Sequence, residues 1–242
     1  PGDAVLTFNC HESHFVARDD AVLVKLDDRS KIKKFVFAYA YHLGYSALLK
    51  SLLPIGAKVA VIGQGLLGQA RAELLSTNGY CVNAISDYPA SMEYLKKFSN
   101  ASLSSRNDNF SSAVDLAIVS TGSWYDYQLA MRIAGQNGII SILGFPGRDE
   151  TLPTFNPFDA REFYTKQLSI HASGMLPECA DSRGFNRFNE RANLEFICHL
   201  IDSGSLDPSR FESFSDEYSN LEDVYIQLED RKDNEISAVI SW

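Results

Sequence analysis

Residues Val59-Ala60-Val61-Ile62-Gly63-Gln64-Gly65-Leu66-Leu67-Gly68 constrain the fold more than any other stretch of the chain. The apolar run reads as a buried strand, and the glycines that follow turn it into a helix. Gly63 permits the tight turn, Gly65 lets the backbone approach a pyrophosphate, and Gly68 lets helix and strand pack closely. The helix N-terminus then offers unpaired N–H groups and a partial positive charge to phosphates. A second apolar run, Cys81–Ser86, leads to Asp87, a carboxylate at a strand tip that can accept hydrogen bonds from an adenosine ribose. This is the physical layout of a dinucleotide site. S-adenosylmethionine on the same loop is the competing ligand.

From Lys58 onward strands and helices alternate. The pattern predicts strand Val59–Ile62 and helix Leu67–Asn78, strand Val82–Ser86 and helix Ser91–Phe98, strand Asp115–Ser120 and helix Tyr125–Ala134, then strand Gly138–Leu143. The polar stretch Asn100 to Ser112 reads as loop. Strands this apolar, interleaved with helices, predict an α/β protein whose parallel sheet is covered on both faces. Ligands of such sheets bind at the carboxyl ends of the strands. Gly63–Gly68, Asp87, Thr121-Gly122 and Leu143-Gly144 all fall at those ends, which is stronger support than the glycine motif alone. Outside this block, residues up to Asp28 read as strands around a polar turn. Lys31 to Leu53 has helical spacing, with Phe35, Ala38, His42, Tyr45 and Leu49 on one side. Gln167–Ala172 reads as a further strand, Asn189–Ser203 as a long helix, Leu221–Leu228 as a short one and Ile236–Trp242 as a last strand.

A net charge of −9 over 242 residues argues against a nucleic-acid partner, because phosphate-backbone affinity needs clustered Lys and Arg. The basic cluster Lys31–Lys34 is short and reads as a solvated helix start. No apolar run is long enough to span a bilayer, so no membrane partner is expected. The four cysteines lie far apart without a CxxC pair, as in a cytoplasmic protein with reduced thiols. Cys10-His11-Glu12-Ser13-His14 contains metal-binding residue types, but in an extended segment His11 faces away from Cys10, Glu12 and His14. With no second ligand cluster downstream, the segment reads as a polar turn. The chain opens on Pro1 rather than Met and reads as an excised or naturally short form of something longer.

The order and spacing of these segments resemble the medium-chain dehydrogenase/reductase superfamily, the relatives of zinc-type alcohol and polyol dehydrogenases. Gly2-Asp3 resembles the entry into the last part of the family's catalytic domain. Gly44-Tyr45-Ser46-Ala47-Leu48 and Leu53–Val59 resemble its lead into the nucleotide domain. Asp115–Gly122, Gly138–Gly144, Leu168–Gly174 and Ile236–Trp242 resemble later strands. The resemblance implies a Rossmann doubly wound parallel sheet with a partial GroES-like β catalytic domain. Residues 1–34 would be a remnant of that domain, 35–175 the NAD-binding domain, and 176–242 the return to the catalytic part. It implies NAD(H)-dependent hydride transfer between nicotinamide and a small alcohol or carbonyl substrate, and a homodimer. The cofactor would lie on Gly63, Gln64, Gly65, Leu66, Leu67, Gly68, Asp87, Thr121, Gly122, Leu143 and Gly144, with the backbone of Ala172 and Ser173 at its carboxamide end. Asp87 would repel a 2′-phosphate and no Arg follows it closely, which favours NAD over NADP.

The departures from the family bear on the chemistry. The part that carries its first zinc ligands is absent, and its third zinc position aligns with about Tyr39, a poor zinc ligand. The expectation is therefore no catalytic zinc and another source of the proton. His42, Tyr39 and Tyr45, on the helix before the nucleotide domain, are the candidates, each with core packing as its plain alternative. The rival to an enzyme is a catalytically silent NAD(H)-binding module or a domain of a larger assembly.

Overall fold

The computed structural model describes residues 2–7, 9, 12–16, 22–88, 91, 95, 101–110, 113–148, 150–174, 183, 185–230 and 235–242. Cys10, His11 and most of the expected helix Ser91–Phe98 lie outside the described residues. The chain forms two compact units, Pro1–His42 with Leu176–Trp242, and Leu43–Met175.

In the first unit, β1 (Ala4–Thr7) pairs antiparallel with β2 (Val22–Leu26). The single helix expected over Lys31–Leu53 is broken into α1 (Ile32–Phe35) and α2 (Ala38–Ser51). Phe35 and Phe37 are both buried while Val36 between them is exposed. Residues two apart cannot face the same way in a continuous helix, so the chain breaks to bury both rings.

The second unit is built on β3 (Lys58–Ile62), α3 (Leu66–Thr77), β4 (Cys81–Ile85), β5 (Ala101–Ser104), β6 (Val114–Val119), α4 (Trp124–Ile133), β7 (Ala134–Ile142) and β8 (Ser169–Ala172). Its six strands run in the order β5-β4-β3-β6-β7-β8, every neighbouring pair parallel. This is the doubly wound order of a dinucleotide-binding sheet, with its switch point between β3 and β6. Central β3 is buried on both sides. Val59 and Val61 pack with Val82, Ala84, Ala72 and Leu75, while Ala60 and Ile62 pack with Ala117, Val119, Ala130 and Met131. At about 1.5–3 kcal/mol for each large aliphatic side chain buried, these two layers fix the sheet.

Two expectations are corrected here. The polar stretch expected as loop contains edge strand β5, paired with β4 from Val82↔Ala101 to Ile85↔Ser104. Among the described residues the sheet is also not covered on both faces throughout. Residues 105–113 join β5 to β6, and the described ones hold no helix. Among the described residues, one face of β4–β5 borders a groove whose floor is Cys81, Asn83, Ser102 and Ser104, with Tyr80, Phe110 and Val114 also lining it. The floor side chains are polar, and Ser104 Oγ donates to Asn83 Oδ1 at 3.0 Å, so the bare face suits water.

The chain then returns to the first unit as α5 (Glu190–Asp202), β9 (Phe214–Glu217), α6 (Leu221–Asp230) and β10 (Ala238–Ser241). Asn189 caps α5, its side chain accepting from the Ala192 N–H, and β10 pairs parallel with β9. No described helix is long and apolar enough to cross a membrane.

Candidate dinucleotide site

Because all six strands run the same way, their carboxyl ends share one edge of the sheet. Gly63–Gly68, Asp87, Thr121-Gly122, Leu143-Gly144 and Ala172-Ser173 all lie at that edge. The glycines are required sterically. Gly63 has φ +88°, a backbone that side chains disfavour. A Cβ on Gly68 would stand 1.9 Å from the Gly63 carbonyl oxygen, and one on Gly144 equally close to that of Thr121. Gly65 differs, because a Cβ there would meet nothing within 4 Å among the described residues. Its backbone borders open space, as approach by a pyrophosphate needs.

The loop is held from behind. The Gln64 carbonyl accepts from Ser91 Oγ at 2.7 Å and Gln69 Nε2 at 3.0 Å, while Gln64 Nε2 donates to the Val61 carbonyl at 2.6 Å. Gln64 is buried and acts as a strut. Among the described residues, no side chain caps the N-terminus of α3. The first-turn N–H groups of Leu66, Leu67 and Gly68 therefore have no intrahelical partner and suit phosphate oxygens. These residues fit a dinucleotide.

Asp87 follows β4, its side chain 44 % exposed. Its Oδ1 accepts from Ser105 Oγ at 2.6 Å and from the Arg106 N–H at 2.9 Å. The Ser105 hydroxyl foremost, together with Arg106, holds this carboxyl below the usual carboxylate range. No Arg closely follows Asp87 in the sequence, but the fold brings one to it. Arg106, just past the end of β5, has a guanidinium nitrogen 3.6 Å from Asp87 Oδ2. The remainder of its fork binds Asp126 on α4, with Nε to Oδ1 at 2.6 Å and a terminal nitrogen to Oδ2 at 2.9 Å. Thr121 Oγ1 donates to the same Oδ2 at 2.7 Å, which ties the end of β6 into this cluster.

At the other strand ends, the Leu143 and Gly144 N–H groups both donate to the Val119 carbonyl, at 3.0 and 3.2 Å. The Ser173 N–H donates to the Ile142 carbonyl at 2.9 Å, and the Ala172 carbonyl accepts from Lys50 Nζ at 2.7 Å. Beneath the site lies Arg71 of α3, fully buried, with one terminal nitrogen donating to Ser120 Oγ at 2.9 Å. Its Nε and other terminal nitrogen meet no partner among the described residues. Burial pulls its pKa down to about 9. Gly44 makes room for it, since a Cβ there would stand 2.5 Å from Arg71 Cγ.

The candidate proton donors divide between the units. Tyr39 and His42 lie in the first, their rings stacked with centroids 5.4 Å apart. They share Glu190 of α5, which the sequence reading did not single out. Its Oε1 is 3.7 Å from His42 Nε2, and its carboxylate accepts from the Tyr39 phenol. Burial first, then Glu190, raises the Tyr39 pKa, so the phenol keeps its proton. The Glu190 charge would favour an imidazolium, but burial dominates and lowers His42 to about 4, leaving it neutral at pH 7. Tyr45, in the second unit, is also raised by burial. Among the described residues, no three His, Cys, Asp or Glu side chains gather as metal ligands.

Arg106, Asp126 and Arg71 were likewise not singled out from sequence. Arg106 had a signal, since recognising β5 would have placed it at a strand end.

No protein-family model matches the sequence, and no curated protein sequence matches it. Solved structures do. The alcohol dehydrogenase TADH from Thermus sp. ATN1 is similar with a TM-score of 0.72 at 21 % identity, covering 90 % of this chain and 61 % of its own. An alcohol dehydrogenase from E. coli CFT073 in complex with NADH has a TM-score of 0.65 at 14 % identity, covering 85 % of this chain and 57 % of its own. A protein described as a zinc-binding dehydrogenase from Sinorhizobium meliloti 1021, bound to NADP, has a TM-score of 0.61 at 18 % identity, covering 78 % and 54 %. The chain thus spans about three fifths or less of the length of these structures. It has the α/β fold of the medium-chain, zinc-type alcohol and polyol dehydrogenases.

Proposed function

We propose that this chain binds NAD(H) at the carboxyl edge of its parallel sheet and serves a dehydrogenase that moves hydride between nicotinamide and a small alcohol or carbonyl compound. The observation that carries this reading is the glycine cradle. Gly68 packs where no side chain fits, Gly65 faces open space, and the uncapped helix start lies between them. Among the similar structures are one complexed with NADH and one bound to NADP, which supports a nicotinamide ligand.

When bound, nicotinamide supplies the hydride acceptor or donor. The chain's own residues do the rest. The N–H groups of α3 take the pyrophosphate, and Asp87 Oδ2 accepts from a ribose hydroxyl. Asp87 disfavours a 2′-phosphate, so NAD is the cofactor in this reading. Tyr39 is the proton donor in place of a zinc-bound group. Its phenol stays protonated, oriented by Glu190, and can deliver its proton to the oxygen of a carbonyl group whose carbon gains hydride. Neutral His42 packs on the Tyr39 ring and holds it. The working protein in this proposal is a cytoplasmic homodimer, with an edge strand of the sheet pairing between copies, and sedimentation of the purified chain tests the dimer.

Titration with NADH, followed by nicotinamide fluorescence, tests the central claim. The expected result is saturable binding that Gly68→Ala abolishes. Tight S-adenosylmethionine binding without NADH binding would refute it. Oxidation or reduction of the cofactor with alcohols, polyols or quinones tests the enzyme. Binding without any change in the reduced-nicotinamide absorbance, across all three classes, would leave a silent nucleotide-binding module. Tyr39→Phe should lower turnover about 10²–10⁴-fold while leaving NADH affinity unchanged.

A further inference from the structure

The hold on Arg106 is tighter than a loop residue needs. Two parallel N–H···O bonds of 2.6 and 2.9 Å join its fork to Asp126, the most directional form of ion pair. The Asp126 side chain is 2 % exposed and that of Arg106 21 %, so water competes weakly. Thr121 Oγ1 donates to Asp126 at 2.7 Å and fixes the carboxylate's orientation. What is left of the guanidinium is the single nitrogen 3.6 Å from Asp87, beyond hydrogen-bonding reach. One cation thus stands between two carboxylates, and the cluster carries a net negative charge. A phosphate on the ribose 2′-oxygen would add about −1.5 to −2 beside Asp87. The nearest guanidinium would already be engaged.

Resting on the dinucleotide reading above, we infer that Asp126 sets which dinucleotide the site accepts. By clamping the Arg106 fork it withholds that guanidinium from a ribose 2′-phosphate, and the chain discriminates against NADP(H). Asp126 itself touches no ligand and is a positioning residue that acts through Arg106.

The experiment is a paired titration of the full chain with NADH and with NADPH on the parent, Asp126→Asn, Arg106→Ala and the double variant. Asn at 126 keeps an oxygen for the Thr121 hydroxyl, removes the charge and puts a donor NH2 where Oδ1 accepts from Arg106 Nε, which breaks the fork. The parent should bind NADH more tightly. D126N should improve NADPH binding relative to NADH about ten-fold, and the double variant should lose that gain. A gain that survives without Arg106 would mean that loss of a negative charge acted alone, and would overturn the inference. So would an unchanged ratio in D126N. If circular dichroism shows that D126N does not fold, R106A decides. A nucleotide ratio within about two-fold of the parent supports a withheld guanidinium, and selective loss of NADPH binding overturns it. A parent that binds neither nucleotide refutes the dinucleotide reading itself, an outcome distinct from all of these.

Discussion

Arg71 carries a full guanidinium in the interior, and its one hydrogen-bond partner among the described residues is the Ser120 hydroxyl. A buried cation without a counter-charge costs several kcal/mol, so its surroundings must be built around its shape. Gly44 is the clearest instance. Gly44→Ala should destabilise the chain by about 1–3 kcal/mol through overpacking against Arg71 Cγ. In an Arg71→Ala background the same change should cost little, a non-additivity that urea unfolding of the four-protein cycle would measure. His42 makes a second prediction. Its folded pKa of about 4 lies below the ordinary value of 6.5, so the unfolded chain binds more protons between those pH values. Stability should therefore be intact above pH 6.5 and fall as the pH drops toward 4, with about 2 kcal/mol lost between pH 7 and pH 5. His42→Gln should flatten that slope in denaturant titrations at the two pH values, and an unchanged slope would assign it to other groups.

At the scale of elements, what could be read from sequence follows the physics of each segment. The strand-to-helix turn at Gly63–Gly68 was legible because its steric demands allow only glycine at Gly63 and Gly68. Strands β3 and β6 were legible because apolar runs buried on both faces leave no polar alternation to confuse them. Strand β5 was not, since Ala101-Ser102-Leu103-Ser104 sits in a polar stretch and faces water on one side. Missing β5 meant missing Arg106, because only strand pairing brings it to Asp87 across 19 residues of sequence. Glu190 was hidden for the same reason, since nothing local ties α5 to Tyr39. The polar groove over β4–β5 yields its own prediction. Replacing Asn83 and Ser102 together by Val raises β-propensity but creates an exposed apolar patch beside an edge strand. Light scattering should show association of that variant at concentrations where the parent does not scatter. Its NADH affinity should be unchanged, because Asn83 and Ser102 lie within their strands and short of the carboxyl ends.

For the whole molecule, the two tryptophans give one reporter in each unit, Trp124 in the second and Trp242 in the first. With Trp242→Phe, the remaining fluorescence follows the second unit alone. NADH at about a hundred times its dissociation constant should add about 2.7 kcal/mol to unfolding seen by Trp124. S-adenosylmethionine at the same concentration should not move it. The link between β5 and β6, whose described residues hold no helix, also has a dynamic consequence. Amide hydrogens of Ala101–Ser104, on an outer strand with solvent against one side, should exchange with deuterium well before those of β3 and β6. Ser105 and Arg106 continue directly from that strand to Asp87, so a bound adenosine would close the part of the sheet that opens most readily. Slower exchange at Ala101–Arg106 on adding NADH would then be the most local sign that the ribose end is engaged.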